Sequence, residues 1–208
     1  MEIVRLTASH QASIIRRACR ILRRGGTIVY PTDTLYGLGA DPFSRRAYRK
    51  ILKIKGRSAR KGISVLIANQ AQLKRVAATT VRDEKNLKSV WPGPVTVVLP
   101  KQKRVPLWLT GQRQTIAVRW PRQRFVSALL KSYGQPITAT SANVSRQPAS
   151  NSIREVLRQF GRRSDLPDLV IDAGRLPRRR PSGIIQFTSR GMRVFRPGTR
   201  VIKKRRHV

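Results

Sequence analysis

Apolar residues recur at helical spacing over residues 11–24, where Ile14, Ile15, Ala18, Cys19, Ile21 and Leu22 share a face and arginines fill the other. Gly25-Gly26 ends that helix. The unbroken run Thr27-Ile28-Val29 then predicts a buried strand, and Pro31, which has no N–H to give a ladder, predicts that pairing stops there. Helical spacing returns after Ser44, a suitable N-cap, with Ala47, Tyr48, Ile51 and Leu52 inward and Gly56 as the stop. Further strands are predicted over 63–67, 95–99, 115–119 and 137–140, and near 168–172, 183–187 and 192–195. Two short helices fit between 69 and 90, one fits 124–133, and one runs from a Ser152 cap to Phe160. Trp91-Pro92-Gly93-Pro94 reads as a rigid turn, and residues 101–114 as an exposed basic loop. Strands and helices alternate at first and strands dominate later. That order predicts one α/β domain with a twisted, open, mixed sheet flanked by helices.

The chain is organised around Val29-Tyr30-Pro31-Thr32-Asp33-Thr34-Leu35-Tyr36-Gly37-Leu38-Gly39. Thr32, Asp33, Thr34 and Tyr36 bring hydroxyls and a carboxylate together just past a strand, and Gly37 and Gly39 allow a turn or a close approach to a ligand. Open α/β sheets bind ligands at such places. The same stretch also reads as a strand-to-helix turn capped by Thr and Asp.

Composition adds one unusual feature. The 208 residues hold 45 Lys+Arg against 9 Asp+Glu, a net charge of +36, with 39% hydrophobic residues. The length and apolar fraction fit a single globular core, and the charge predicts attraction to polyanions such as RNA, DNA or nucleotides. A basic surface of this kind also arises as general adaptation, without a nucleic-acid partner. Cys19 is the only cysteine, which removes disulfides and thiolate metal sites. The N-terminus has no hydrophobic signal region and no segment reaches membrane-spanning length, so a reducing cytoplasm is expected.

Candidate chemistry is narrowed by what the chain lacks. His10 and His207 lie near opposite ends and outside any polar motif, and the carboxylates are scattered, so a catalytic triad, a histidine metal site and paired-carboxylate hydrolysis have little to build on. The phosphate-loop and dinucleotide fingerprints are both missing. What remains is a set of polar residues at predicted strand ends: Thr32 and Thr34, Lys55 and Arg57, Arg119, Ser141 and Asn143, Ser182 and Arg196. Neighbouring parallel strands would aim these ends at one cavity. Cations and hydroxyls with no general base suit an anionic substrate that supplies its own nucleophile.

The ordered motifs Tyr30-Pro31-Thr32-Asp33-Thr34-Leu35-Tyr36-Gly37-Leu38-Gly39, Lys55-Gly56-Arg57, Trp91-Pro92-Gly93-Pro94-Val95-Thr96, Ile116-Ala117-Val118-Arg119, Thr140-Ser141-Ala142-Asn143-Val144-Ser145, Pro181-Ser182 and Arg196-Pro197-Gly198 make the chain resemble the YrdC/Sua5 family, the L-threonylcarbamoyladenylate synthases. The resemblance implies a YrdC-like domain over residues 7–200 with a central cationic cavity, followed by a basic, disordered tail over 201–208. It implies that L-threonine, bicarbonate or CO2, and ATP give threonylcarbamoyl-AMP and pyrophosphate. The product would pass to a tRNA threonylcarbamoyl transferase for the N6-threonylcarbamoyladenosine (t6A) modification of tRNA.

The family's tetrad maps onto Lys55, Arg57, Ser141 and Asn143 as catalytic and ATP-binding residues, with Lys61, Thr115 and Arg196 also toward ATP. Thr34, Tyr36, Arg119 and Ser182 map onto the threonine site, and Mg2+ would be carried by the phosphates. Lys55 and Arg57 are expected to neutralise the triphosphate, and Arg119 to hold the threonine carboxylate. Ser58, Arg146 and Gly183 depart from the residues common in the family, and the chain resembles its short form, without an additional C-terminal domain. Two other readings stand beside this one: a basic RNA-binding module without catalysis, and a relative that adenylates a carbamoyl group.

Overall fold

The structure, a computed structural model, describes residues 1–161, 163–189 and 191–198. The basic tail expected over 201–208 lies outside the described residues.

Ten strands form one mixed sheet: β1 (Glu2–Arg5), β2 (Thr27–Tyr30), β3 (Gly37–Ala40), β4 (Ser64–Leu66), β5 (Val95–Pro100), β6 (Thr115–Arg119), β7 (Ile137–Ser141), β8 (Leu169–Asp172), β9 (Gly183–Thr188) and β10 (Gly191–Arg196). Their spatial order is β1-β8-β2-β3-β7-β4-β6-β5-β9-β10. β1, β8 and β2 run parallel, as do β4 with β6 and β5 with β9, and the remaining neighbours are antiparallel. The expected open mixed α/β sheet is therefore present.

Among the described residues seven helices cover it: α1 (Gln11–Arg23), α2 (Arg45–Lys55), α3 (Gln70–Val76), α4 (Val81–Lys88), α5 (Leu107–Thr110), α6 (Arg124–Tyr133) and α7 (Ile153–Phe160). β2 is buried along its whole length because both faces are covered. Ile28 and Tyr30 meet α1 and α6 through Ile15, Leu22, Val126 and Leu129. Val29, pointing the other way, joins a second cluster with Ile51 and Ile54 of α2 and Val156 and Phe160 of α7.

Three expectations change. The folded unit takes in residues 2–5, upstream of the expected start at residue 7, because β1 pairs with β8 along its full length. The 101–114 stretch contains the short helix α5, in which Leu109 is fully buried. The glycine-rich stretch after Tyr36 is not a loop. Gly37 and Gly39 lie in β3, antiparallel to β2, so residues 31–36 close a hairpin rather than lead into a helix. The two glycines make room for the Tyr30 ring, since an added Cβ would lie 2.9 Å from it at Gly37 and 2.7 Å at Gly39. Gly39→Ala is expected to destabilise the fold by about 1–3 kcal/mol through overpacking, read as a lower denaturation midpoint.

Asp168 ties β8 to its neighbours. One carboxylate oxygen accepts from the Thr27 N–H (2.7 Å) and hydroxyl (3.1 Å), and the other from Lys50 Nζ (2.6 Å). Burial alone would raise its pKa, but these donors outweigh it and hold the carboxyl below 3.8. A depressed carboxylate contributes stability that is complete above the unfolded value and is lost as pH falls through the folded one. Asp168→Asn is therefore expected to lower the denaturation midpoint at neutral pH, with the difference from wild type shrinking once the pH drops below 3.8.

Candidate active site

Eight neighbouring strands, β2, β3, β7, β4, β6, β5, β9 and β10, each give at least one residue to a single cavity of about 320 Å3. Laid flat, eight strands about 4.8 Å apart would span about 34 Å, so they can share one small cavity only if the sheet curls around it. On β4 and β6 the contributors sit two residues apart, as Ser64 and Leu66, Ala117 and Arg119, while β7 gives Ala139, Thr140 and Ser141. The cavity is thus formed mainly by one sheet face, whose inward side chains are mostly small or polar, with Leu66 and Ile184 the apolar ones. That corrects the expectation that parallel strand ends would converge, because antiparallel neighbours point their ends in opposite directions.

Loops complete the wall. After β2, the Thr32 hydroxyl donates to Leu35 O (2.6 Å) and accepts from the N–H groups of Thr34 (3.1 Å) and Leu35 (3.2 Å), which fixes the 31–36 turn. α2 begins on a Ser44 cap and ends at Gly56, whose φ of 56° turns the chain so that Arg57 leaves the helix toward the cavity. Arg57 is held by the carbonyls of Gly62 (2.8 Å) and Lys61 (3.4 Å), and burial lowers its pKa.

The expected site residues divide into two groups. Thr34, Tyr36, Arg57, Arg119, Ser141, Ser182 and Arg196 line the cavity together. Lys55, Asn143, Lys61 and Thr115 do not. Lys55, only 2% exposed, lies behind Ser141. Its Nζ donates to Ser141 O, to Asn143 O (2.7 Å) and to Asn143 Oδ1 (3.1 Å), while its own carbonyl accepts from Ser145 N (2.7 Å). Burial first, and the Arg57 charge second, pull its pKa down to about 7, while the three oxygens favour the ammonium.

Asn143 uses its amide on Val144 O (3.0 Å) and Gln147 O (2.6 Å), and its Oδ1 also accepts from the Ser141 hydroxyl (2.5 Å). Lys55 and Asn143 therefore shape the 141–145 loop instead of facing the cavity. Lys61 is exposed on the adjoining loop, and Thr115 shares the face of Ala117 and Arg119 but falls beyond the lining. Tyr36 gives only its ring, because its hydroxyl donates to Gly174 O (2.7 Å) and accepts from Ala173 N (2.9 Å).

Arg57, Arg119 and Arg196 are the cations lining the cavity, and among the described residues no Asp, Glu or His joins them. Arg196 donates to Ser182 O (3.0 Å). Its pKa is lowered by burial and then by the nearby Arg119 charge. Arg119 donates through Nε to Gly93 O (3.3 Å), which the 91–94 turn presents, and through Nη2 to Asp33 Oδ1. No local pattern pairs Asp33 with Arg119, since the two are remote along the chain. The inward alanines were readable as every second residue of a strand, but not which face would be concave.

The departures from the family's common residues also find places. Arg146 has φ 70°, a left-handed conformation that glycine adopts at lower cost. The Ser58 hydroxyl accepts from Arg60 N (3.3 Å) at the start of the turn carrying Lys61. At Gly183 a Cβ would make only ordinary contacts, the nearest at 3.5 Å.

A curled mixed sheet enclosing a cationic, hydroxyl-lined cavity defines an α/β protein built to hold anions in a small space. The family model described as "Telomere recombination" (Sua5/YciO/YrdC) matches residues 20–198, and the chain belongs to that family. It is 42% identical over 159 residues to the threonylcarbamoyl-AMP synthase of Yersinia enterocolitica, covering 74% of this chain and 83% of that one. The structure of P. abyssi Sua5 complexed with L-threonine superimposes with a TM-score of 0.84 at 34% identity, covering 95% of this chain. This chain spans only 57% of the length of that protein. E. coli YciO superimposes with a TM-score of 0.83 at 26% identity, with 97% of each chain covered.

Proposed function

We propose that the protein is an L-threonylcarbamoyladenylate synthase, a nucleotidyltransferase that forms threonylcarbamoyl-AMP and pyrophosphate from L-threonine, bicarbonate or CO2, and ATP. The observation that carries this reading is the single cavity in which Arg57, Arg119 and Arg196 stand among hydroxyls, with no carboxylate in the lining among the described residues. Relatives with the same name and the L-threonine complex of P. abyssi Sua5 support it.

The threonine amine adds to CO2 to give a carbamate. A carbamate oxygen attacks the α-phosphorus of ATP, and pyrophosphate leaves with the electrons of the broken P–O bond. The nucleophile comes from the substrate, so the protein's part is to position two anions and neutralise charge. Arg57 and Arg196 take phosphate oxygens, and Arg119 takes the threonine carboxylate beside Thr34 and Ser182. Ser141 faces the nucleotide, while Lys55 and Asn143 hold its loop in place. Lys61, exposed at the rim, reaches toward the outer phosphates. Thr115 lies too far along β6 for a first contact. The cavity offers no carboxylate set for a divalent cation, so Mg2+ enters held by the triphosphate and water.

The product passes to a tRNA threonylcarbamoyl transferase for t6A formation, in the cytoplasm. No helix among the described residues is long and apolar enough to cross a membrane. Direct RNA contact is favoured at one surface. A groove beside α1 is lined by Arg16, Arg20, Arg23 and Arg24, of which Arg16, Arg20 and Arg24 are four residues apart, about one helical turn, a row suited to successive phosphates.

The test supplies the purified protein with labelled ATP, bicarbonate and each amino acid in turn. Pyrophosphate release that requires both L-threonine and bicarbonate is the expected result. Release without any amino acid would indicate carbamoyl adenylation. No release, together with salt-dependent RNA binding, would leave an RNA-binding module.

A further inference from the structure

We propose that Asp33 is a positioning residue for the amino-acid substrate, holding the Arg119 guanidinium in the orientation that receives the substrate carboxylate. The inference rests on the synthase reading and adds a residue to it.

Arg119 ends β6 and Asp33 tips the turn after β2, and three strands, β3, β7 and β4, lie between β2 and β6 in the sheet. The ion pair therefore crosses one end of the cavity rather than joining neighbours. It is well buried: the side chains are 8% and 14% exposed. At that depth a lone guanidinium is costly, and Asp33 is the one carboxylate within ion-pairing distance of it among the described residues.

The geometry divides the guanidinium in two. Nε is spent on Gly93 O and Nη2 on Asp33 Oδ1, so the protein occupies that edge of the fork. Nη1 and the second Nη2 hydrogen have no partner among the described residues, and Arg119 lines the cavity while Asp33 does not. A planar fork fixed along one edge presents its other edge in a set direction, which is what two-point carboxylate recognition needs. The alternative, in which Asp33 occupies the place of the substrate carboxylate, would require it to stand on the cavity side of Arg119.

Two features keep Asp33 in place. The Thr32 hydroxyl bonds fix the turn that carries it. Arg196 faces Arg119 from β10 and repels it, so Asp33 balances a cation that would otherwise be pushed away from the amino-acid end.

The test measures binding of L-threonine and of ATP separately by calorimetry, and steady-state turnover, for wild type, Asp33→Ala, Asp33→Asn, Arg119→Ala and the double variant Asp33→Ala/Arg119→Ala. Asp33→Ala is expected to weaken L-threonine binding at least tenfold and to raise its KM more than it lowers kcat, with ATP binding within about twofold of wild type. Asp33→Asn keeps an acceptor oxygen without the charge and is expected to fall between. The double variant is expected to bind no more weakly than Arg119→Ala alone, because both act through one guanidinium. Unchanged or tighter L-threonine binding in Asp33→Ala would overturn the proposal, as would an equal loss for L-threonine and ATP. A wild-type protein that binds no L-threonine removes the synthase reading and this role with it. A wild type that binds while Asp33→Ala binds equally well removes only this role.

Discussion

Arg57→Ala is expected to lower kcat/KM for L-threonine-dependent pyrophosphate release by about 10²–10³-fold, with little change in the denaturation midpoint. A cation about 4 Å from a phosphate oxygen is worth about 4 kcal/mol at an intermediate dielectric, before desolvation, and its value grows as charge moves onto the leaving pyrophosphate. Among the described residues Arg57 has two carbonyl partners, those of Lys61 and Gly62, both in its own loop. Removing the side chain therefore disturbs little else. Near-normal turnover in this variant, measured at saturating and limiting ATP, would take Arg57 out of the phosphate site.

Lys55→Met is expected to behave differently, with stability and turnover falling together. Methionine keeps most of the volume of the stem, so the change isolates the three oxygens that lose their donor: the carbonyls of Ser141 and Asn143, and Asn143 Oδ1. Ser141 O keeps the Asn143 N–H and Asn143 Oδ1 keeps the Ser141 hydroxyl, so the buried Asn143 carbonyl carries most of the loss, about 1–3 kcal/mol. The Ser141 loop would then lose its register against α2, and the Ser141 hydroxyl its place in the cavity wall. Denaturation and turnover measured on the same preparation decide the matter. Lost turnover with unchanged stability would mean that the Lys55 ammonium reaches the substrate, as the family motif by itself suggests.

The contrast between Lys55 and Arg57 illustrates how far a motif can be read. The two are separated only by Gly56 and share a sign, and the sequence treats them as a pair for the triphosphate. In the structure Gly56, with its positive φ, ends the helix between them. Lys55 stays on the last turn of α2 facing the core, and Arg57 emerges into the loop facing the cavity. Asn143 and Ser141 part in the same way: the hydroxyl lines the cavity and the amide is used up behind it.

The sequence by itself determined the strands and most helices, because periodicity and end signals are local properties of neighbouring residues. It also determined the family, through ordered motifs from Tyr30 to Gly198, and the absence of acid–base machinery in the residues available. Only the tertiary structure decided which face of each strand is concave, that Gly37 and Gly39 make room for the Tyr30 ring, and that Asp33 meets Arg119 across three strands. Those facts depend on sheet order and curl. These are set by packing among residues far apart in the chain, and no local pattern records them.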